Sequence, residues 1–170
     1  MAVSVGQSLL FEVLKRMPRF IASKIGNWML KEEYLTITSG EANIDTSSEA
    51  YPLISFSIKI DSKIRLKLKP KELVAYIYLA SVPIGKIIYK NSENGLNVVS
   101  IEELGELNSG HMRIVYAPSL DVYKSKYAHS WAVKGLLTLS SNLGDVSKHF
   151  AIDFKIKEEQ IEKVKQCFSL

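Results

Sequence analysis

Between Ile54 and Leu68 the chain alternates almost without interruption. Ile54, Phe56, Ile58, Ile60, Ile64, Leu66 and Leu68 take the even positions. Ser55, Ser57, Lys59, Asp61, Lys63, Arg65, Lys67 and Lys69 take the odd ones. A strand sends successive side chains to opposite faces, whereas a helix repeats every 3.6 residues. The run therefore reads as β-structure with one buried face and one wet face. It is longer than most strands, so a break is expected at Asp61-Ser62 and an end at Pro70.

Other segments repeat this signal. Tyr34–Thr38 is a short β candidate, followed by a polar loop over Ser39–Glu49. Leu73–Ala80, with Tyr76 and Tyr78, is an apolar strand. Ser81-Val82-Pro83-Ile84-Gly85 is expected to turn it into Lys86–Tyr89, and Asn91–Gly95 is a second turn. Leu96–Ile101 and Met112–Tyr116 are further strand candidates. Trp131, Val133, Gly135, Leu137 and Leu139 alternate again, as do Phe150, Ile152, Phe154 and Ile156 after a turn at Asn142-Leu143-Gly144-Asp145. Glu158–Phe168 is expected to form a short helix with Ile161, Val164 and Phe168 on one face. No helical pattern separates the strands between residues 50 and 156, so a parallel α/β arrangement is excluded. The expectation is a mostly-β, antiparallel sandwich.

The N-terminal segment has a different character. Leu9, Leu10, Val13, Leu14 and Met17 fall at helical spacing over residues 7–17, opposite Glu12, Lys15 and Arg16. Pro18 breaks or bends the pattern. Residues 19–30 resume it, with Phe20, Ile21, Ile25 and Trp28 on one side and Arg19, Ser23, Lys24 and Asn27 on the other; Gly26 weakens this part. Three regions follow: an amphipathic basic segment (1–31), a β-sandwich (32–157) and a C-terminal helix packed on it (158–170).

Charge is divided unevenly. The chain carries a net +4. Lys15, Arg16, Arg19, Lys24 and Lys31 face Glu12 alone within residues 1–31, so this segment holds the whole excess, and residues 32–170 balance 17 basic against 17 acidic side chains. A general nucleic-acid surface would spread the excess over the folded body. An apolar fraction of 46% argues against global disorder. The lone Cys167 forms no internal disulfide and belongs to no thiol motif. No apolar run approaches the ~20 residues of a membrane span. The N-terminus does not read as a signal peptide, because Glu12, Lys15 and Arg16 interrupt its apolar stretch. A cytoplasmic protein, peripheral at a membrane where the helical segment makes contact, is expected.

The stretch Ile54–Tyr89, with Pro70, the strand Leu73–Leu79 and Val82-Pro83-Ile84-Gly85, resembles the core of the LEA-type water-stress (WHy) domain family. Trp131-Ala132-Val133-Lys134-Gly135-Leu136-Leu137 is similar to a later strand of that family, which carries a glycine among apolar residues. Ile60-Asp61-Ser62-Lys63 stands where the family usually has an Asn-Pro pair. The resemblance spans the middle two thirds of the chain. It implies an immunoglobulin-like sandwich and a non-enzymatic role in desiccation or stress tolerance, tied in many members to membranes.

Catalytic chemistry finds little footing. His111, His129 and His149 are far apart and form no HxH or HxxxH pair, so no metal site is expected. No nucleophile elbow, Walker loop or dinucleotide fingerprint occurs, and no cofactor is expected. Glu102, Glu103 and Glu106 read as a solvated loop rather than a glycosidase pair. Glu158, Glu159 and Glu162 complement the positive end of a helix dipole.

Two candidate contact surfaces remain. Leu10, Leu14, Arg16, Arg19, Phe20, Lys24, Ile25 and Trp28 would form a basic amphipathic helix. Such a helix packs across the sandwich, lies in a membrane interface, or receives a protein partner. Lys59, Lys63, Arg65, Lys67 and Lys69, continued by Lys71, would line one face of a strand. With Tyr76 and Tyr78 on the next strand, that row offers phosphate contacts and base stacking. A solvated outer face with edge-protecting lysines is its structural counterpart. Nucleic acid or a small ligand bound there is the alternative to a membrane-associated, non-enzymatic role.

Overall fold

The computed structural model of the chain describes residues 13, 16, 18, 31–47, 51–63, 67–90, 99–101, 109–141 and 143–170. Among these, the alternating run becomes β2 (Leu53–Ser62), in which Ile54, Phe56, Ile58 and Ile60 are fully buried. The strand ends at Ser62, as the sequence predicts. It does not continue to Lys69: the chain crosses to a second sheet and begins β3 (Lys69–Leu79) there.

The strands form two antiparallel four-stranded sheets. One has the order β1-β2-β6-β5, from Leu35–Asp45, β2, Ser109–Tyr116 and Val99–Ile101. The other has the order β4-β3-β7-β8, from Val82–Lys90, β3, Ser130–Ser141 and Gly144–Lys155. Two helices, α1 (Asp121–Lys124) and α2 (Glu158–Cys167), complete the described elements with a 3-10 turn at Glu32–Tyr34. Helix α2 buries Ile161 and Val164 against the body and starts with Glu158 and Glu159 in its first turn, where acids suit the helix dipole.

One apolar core fills the space between the sheets. Its centre is Phe56, whose ring lies 6.0 Å from Trp131 and 5.1 Å from Phe154 across the interface. Trp131 satisfies its indole N–H by donating to the Ala128 carbonyl at 2.6 Å. The partner sheets contribute alternate residues, such as Ile77, Leu79, Val133, Leu137 and Ile152.

Three departures from the sequence reading have physical reasons. The polar stretch after Thr38 is not all loop: β1 runs on to Asp45, with a bulge between Ser39 and Ala42. An edge strand with one face in water tolerates this composition. Val82-Pro83-Ile84-Gly85 is strand, not turn. The reversal is a two-residue turn at Ala80-Ser81, and Leu79 pairs directly with Val82. Proline is admitted because β4 is an edge strand. Thirdly, a bulge at Lys71 between Pro70 and Glu72 reverses the parity of β3, so odd residues from Leu73 onward face the core.

Among the described glycines, Gly135 and Gly85 mark the tightest close approaches. A Cβ on Gly135 would fall 2.4 Å from the Val74 carbonyl oxygen. A Cβ on Gly85 would fall 2.6 Å from the Tyr116 ring, whose hydroxyl donates to the Ile84 carbonyl at 2.8 Å. Tyr116 thereby ties the end of β6 to β4 of the opposite sheet.

Candidate binding surfaces

The sandwich presents two outer faces of unlike chemistry. On the β1-β2-β6-β5 sheet, the outward residues are mostly polar: Thr36, Thr38 and Asn43 from β1, Ser55, Ser57, Lys59 and Asp61 from β2, His111 and Arg113 from β6, with Val115 the apolar member opposite Ser55. Lys59 and Asp61 form an ion pair at 3.2 Å. On the β4-β3-β7-β8 sheet, cross-strand registers place Ile88, Val74, Leu136 and His149 in one row. Lys86, Tyr76, Lys134 and Ala151 form the next.

The predicted basic row does not assemble on one strand. Lys59 projects from the outer face of the first sheet, and Lys69 stands at the start of β3 in the second. Their sheets turn opposite faces to water, so no ligand tracks both along one line. Lys63 and Lys67 are exposed in the crossing between the sheets, and Arg65 lies outside the described residues. Lys71 occupies the bulge and pairs with Asp145; this contact raises its pKa through the hydrogen bond and the carboxylate charge. The break at Ser62 was legible in the sequence, but the change of sheet was not.

Of the N-terminal candidates, Leu10, Leu14, Arg19, Phe20, Lys24, Ile25 and Trp28 lie outside the described residues. Arg16 is exposed, and its backbone N–H donates to the Val13 carbonyl at 3.1 Å. The chain enters the body at Glu32, which pairs with Lys148 of β8 at 3.5 Å.

Elsewhere on the body, three further acid–base pairs form between near neighbours. Lys90 meets Glu72, Lys124 meets Asp121 and Lys165 meets Glu162. The histidines sit apart, with His111 on the first sheet, His129 ahead of β7 and His149 on the second sheet. Among the described residues no group of three or more His, Cys, Asp or Glu side chains is placed to hold a metal ion. Glu102, Glu103 and Glu106 lie outside the described residues. Cys167 is exposed at the end of α2. No described helix is long and apolar enough to cross a membrane. Sequence reasoning paired Tyr76 and Tyr78 with the wrong lysines. Across the strands Tyr76 has Lys86 and Lys134 as its neighbours, whereas Tyr78 stands opposite Pro83 and Ala132, relations that only the register reveals.

No family model matches the chain, and no curated protein does. Among solved structures it is similar to the X-ray structure of a structural-genomics target, with 11% identity, a TM-score of 0.49, and 75% of this chain and 90% of that one covered. It is similar to a candidate ApaA protein from Bordetella pertussis, with 7% identity, a TM-score of 0.46, and coverage of 73% and 94%. The solution structure of a candidate late embryogenesis abundant (LEA) protein matches at 11% identity and a TM-score of 0.34, over 93% of this chain and 90% of that one.

Proposed function

We propose that this chain is a non-enzymatic binding domain of the LEA-type water-stress kind, which meets an anionic membrane surface from the cytoplasmic side through residues 7–30. The observation that carries this reading is where charge remains uncompensated. Residues 32–170 balance 17 basic against 17 acidic side chains, whereas the entire +4 belongs to residues 1–31, interleaved there with Leu, Phe and Trp. Basic residues beside an apolar stripe are what an anionic interface selects. The strand order supports the immunoglobulin-like form of the sandwich. Labelled in chain order, β1-β2-β6-β5 and β4-β3-β7-β8 correspond to the A-B-E-D and C′-C-F-G sheets of that architecture.

Co-sedimentation of the full chain with vesicles tests the reading. Binding is expected to phosphatidylserine-containing vesicles, to weaken with salt, and to be lost on Phe20→Asp with Trp28→Asp. Equal binding by that double variant overturns it.

A further inference from the structure

The outer face of the β4-β3-β7-β8 sheet carries an arrangement that the membrane reading does not use. Tyr76 and Tyr78 stand on the same side of β3, two residues and therefore about 7 Å apart. Lys86 flanks Tyr76 from β4 and Lys134 flanks it from β7, so the three form one row across adjacent strands. The Lys86 ammonium lies 5.5 Å from the Tyr76 ring centroid, and the Lys134 ammonium 4.9 Å from that of Tyr78. Tyr76 is 40% exposed and the neighbouring Ile88 is 50% exposed.

The carboxylates of the neighbouring strand ends are engaged by other lysines. Glu72 is taken by Lys90 and Asp145 by Lys71. Asp153 stands at the β8 edge, two strands from Tyr78. Lys86 and Lys134 have no carboxylate partner among the described residues; both rest over aromatic rings. A solvated face with edge-protecting lysines would not require paired tyrosines between them.

From this we propose that the face binds single-stranded nucleic acid, with Tyr76 and Tyr78 as stacking platforms for successive bases and Lys86 and Lys134 as phosphate contacts. An ammonium held over a ring by cation–π attraction is exchangeable. When a base stacks on the tyrosine, the lysine swings from the ring to the adjoining phosphate. Stacking on a ring requires an unpaired base, so a duplex is a poor ligand here. Exposed Ile88 and half-buried Val74 extend the apolar floor beside the rings.

Fluorescence anisotropy of the full chain with labelled single-stranded oligo-dT, oligo-U and a duplex of equal length tests the assignment. The single strands are expected to bind more tightly than the duplex at low salt. Tyr76→Ala with Tyr78→Ala should weaken binding roughly ten-fold or more. Tyr76→Phe should retain it, since the ring is kept. Lys86→Gln with Lys134→Gln should weaken binding and flatten the dependence of log affinity on log salt by about 1.4. Thermal melts of each variant control for folding. The assignment is overturned if no single strand binds at low salt, or if the tyrosine and lysine variants bind like the parent. It is also overturned if binding is lost only on Arg16→Ser, Arg19→Ser and Lys24→Ser, or if the sheet-face variants change binding to phosphatidylserine vesicles alone. Loss of vesicle binding by the Phe20/Trp28 double variant leaves this test unaffected, so the two readings fail independently.

Discussion

Tyr123 shows how far a single residue can stand from its neighbours' logic. It sits in α1 with its side chain fully buried, and its hydroxyl has no hydrogen-bond partner among the described residues. Burial pushes its pKa well above the ordinary tyrosine range, and burial raises that of Tyr116 as well. The sign of the pH dependence follows. When the folded-state pKa is the higher one, the unfolded chain loses its proton first, from about pH 10. Stability is therefore intact below that pH and falls as pH rises toward the folded-state value. Tyr123→Phe removes a buried, unsatisfied hydroxyl while keeping the ring. Urea denaturation should show it unchanged or more stable by about 1 kcal/mol at neutral pH, and its stability should decline less steeply above about pH 10. A loss of stability at neutral pH would mean that the hydroxyl is satisfied after all. Nothing in the sequence marked Tyr123: α1 is a single turn, and its apolar pattern is too short to read.

Among the elements, the β3–β4 hairpin divides what was legible from what was not. The strands themselves were visible, because Leu73–Leu79 and Lys86–Tyr89 are rich in β-branched and aromatic residues. The expected turn, Ser81–Gly85, contains the second residue of the real one but runs too far, because Pro83 and Gly85 are usual turn residues and Ala80 is not. Gly85 is needed instead where Tyr116 crosses from the other sheet, a contact between residues 31 positions apart that no local pattern encodes. The real turn holds two L-residues in the left-handed region, with φ 45° at Ala80 and 74° at Ser81. This conformation costs roughly 1 kcal/mol or more per residue and suits Asn-Gly. Ala80→Asn with Ser81→Gly should therefore stabilise the domain by about 1 kcal/mol, raising Tm by about 2–4 °C in a calorimetric scan. Ser81→Val, which places a branched side chain at positive φ, should lower it. A fall in Tm for the Asn-Gly variant would show that the turn is not of this kind.

For the whole molecule, the fold was more legible than the surfaces. Ile54, Phe56, Ile58 and Ile60 were assigned to the core by parity alone, and all four are buried, since a half-wet sheet writes its two faces into alternate positions. A surface is written differently. Its residues come from neighbouring strands, so Lys86, Tyr76 and Lys134 meet only after register is set, while Lys59 and Lys69, close in sequence, part between two sheets. That crossing makes the inter-sheet contacts decisive for stability, because the buried apolar core lies between the two sheets. Phe56 is the clearest case: it reaches both Trp131 and Phe154 from the opposite sheet. Phe56→Ala should cost about 3–5 kcal/mol, from lost burial and the cavity left at the interface. That is a large part of the ~5–15 kcal/mol that holds a domain of this kind together. If the sheets depend on one shared core, urea should unfold them in a single transition. Far-UV circular dichroism, which follows the strands, and near-UV dichroism, which follows the packed aromatic rings, should then share one midpoint, shifted downward together in the variant. Two separated midpoints would mean that one sheet persists without the other, and that the core between them is not the source of cooperativity.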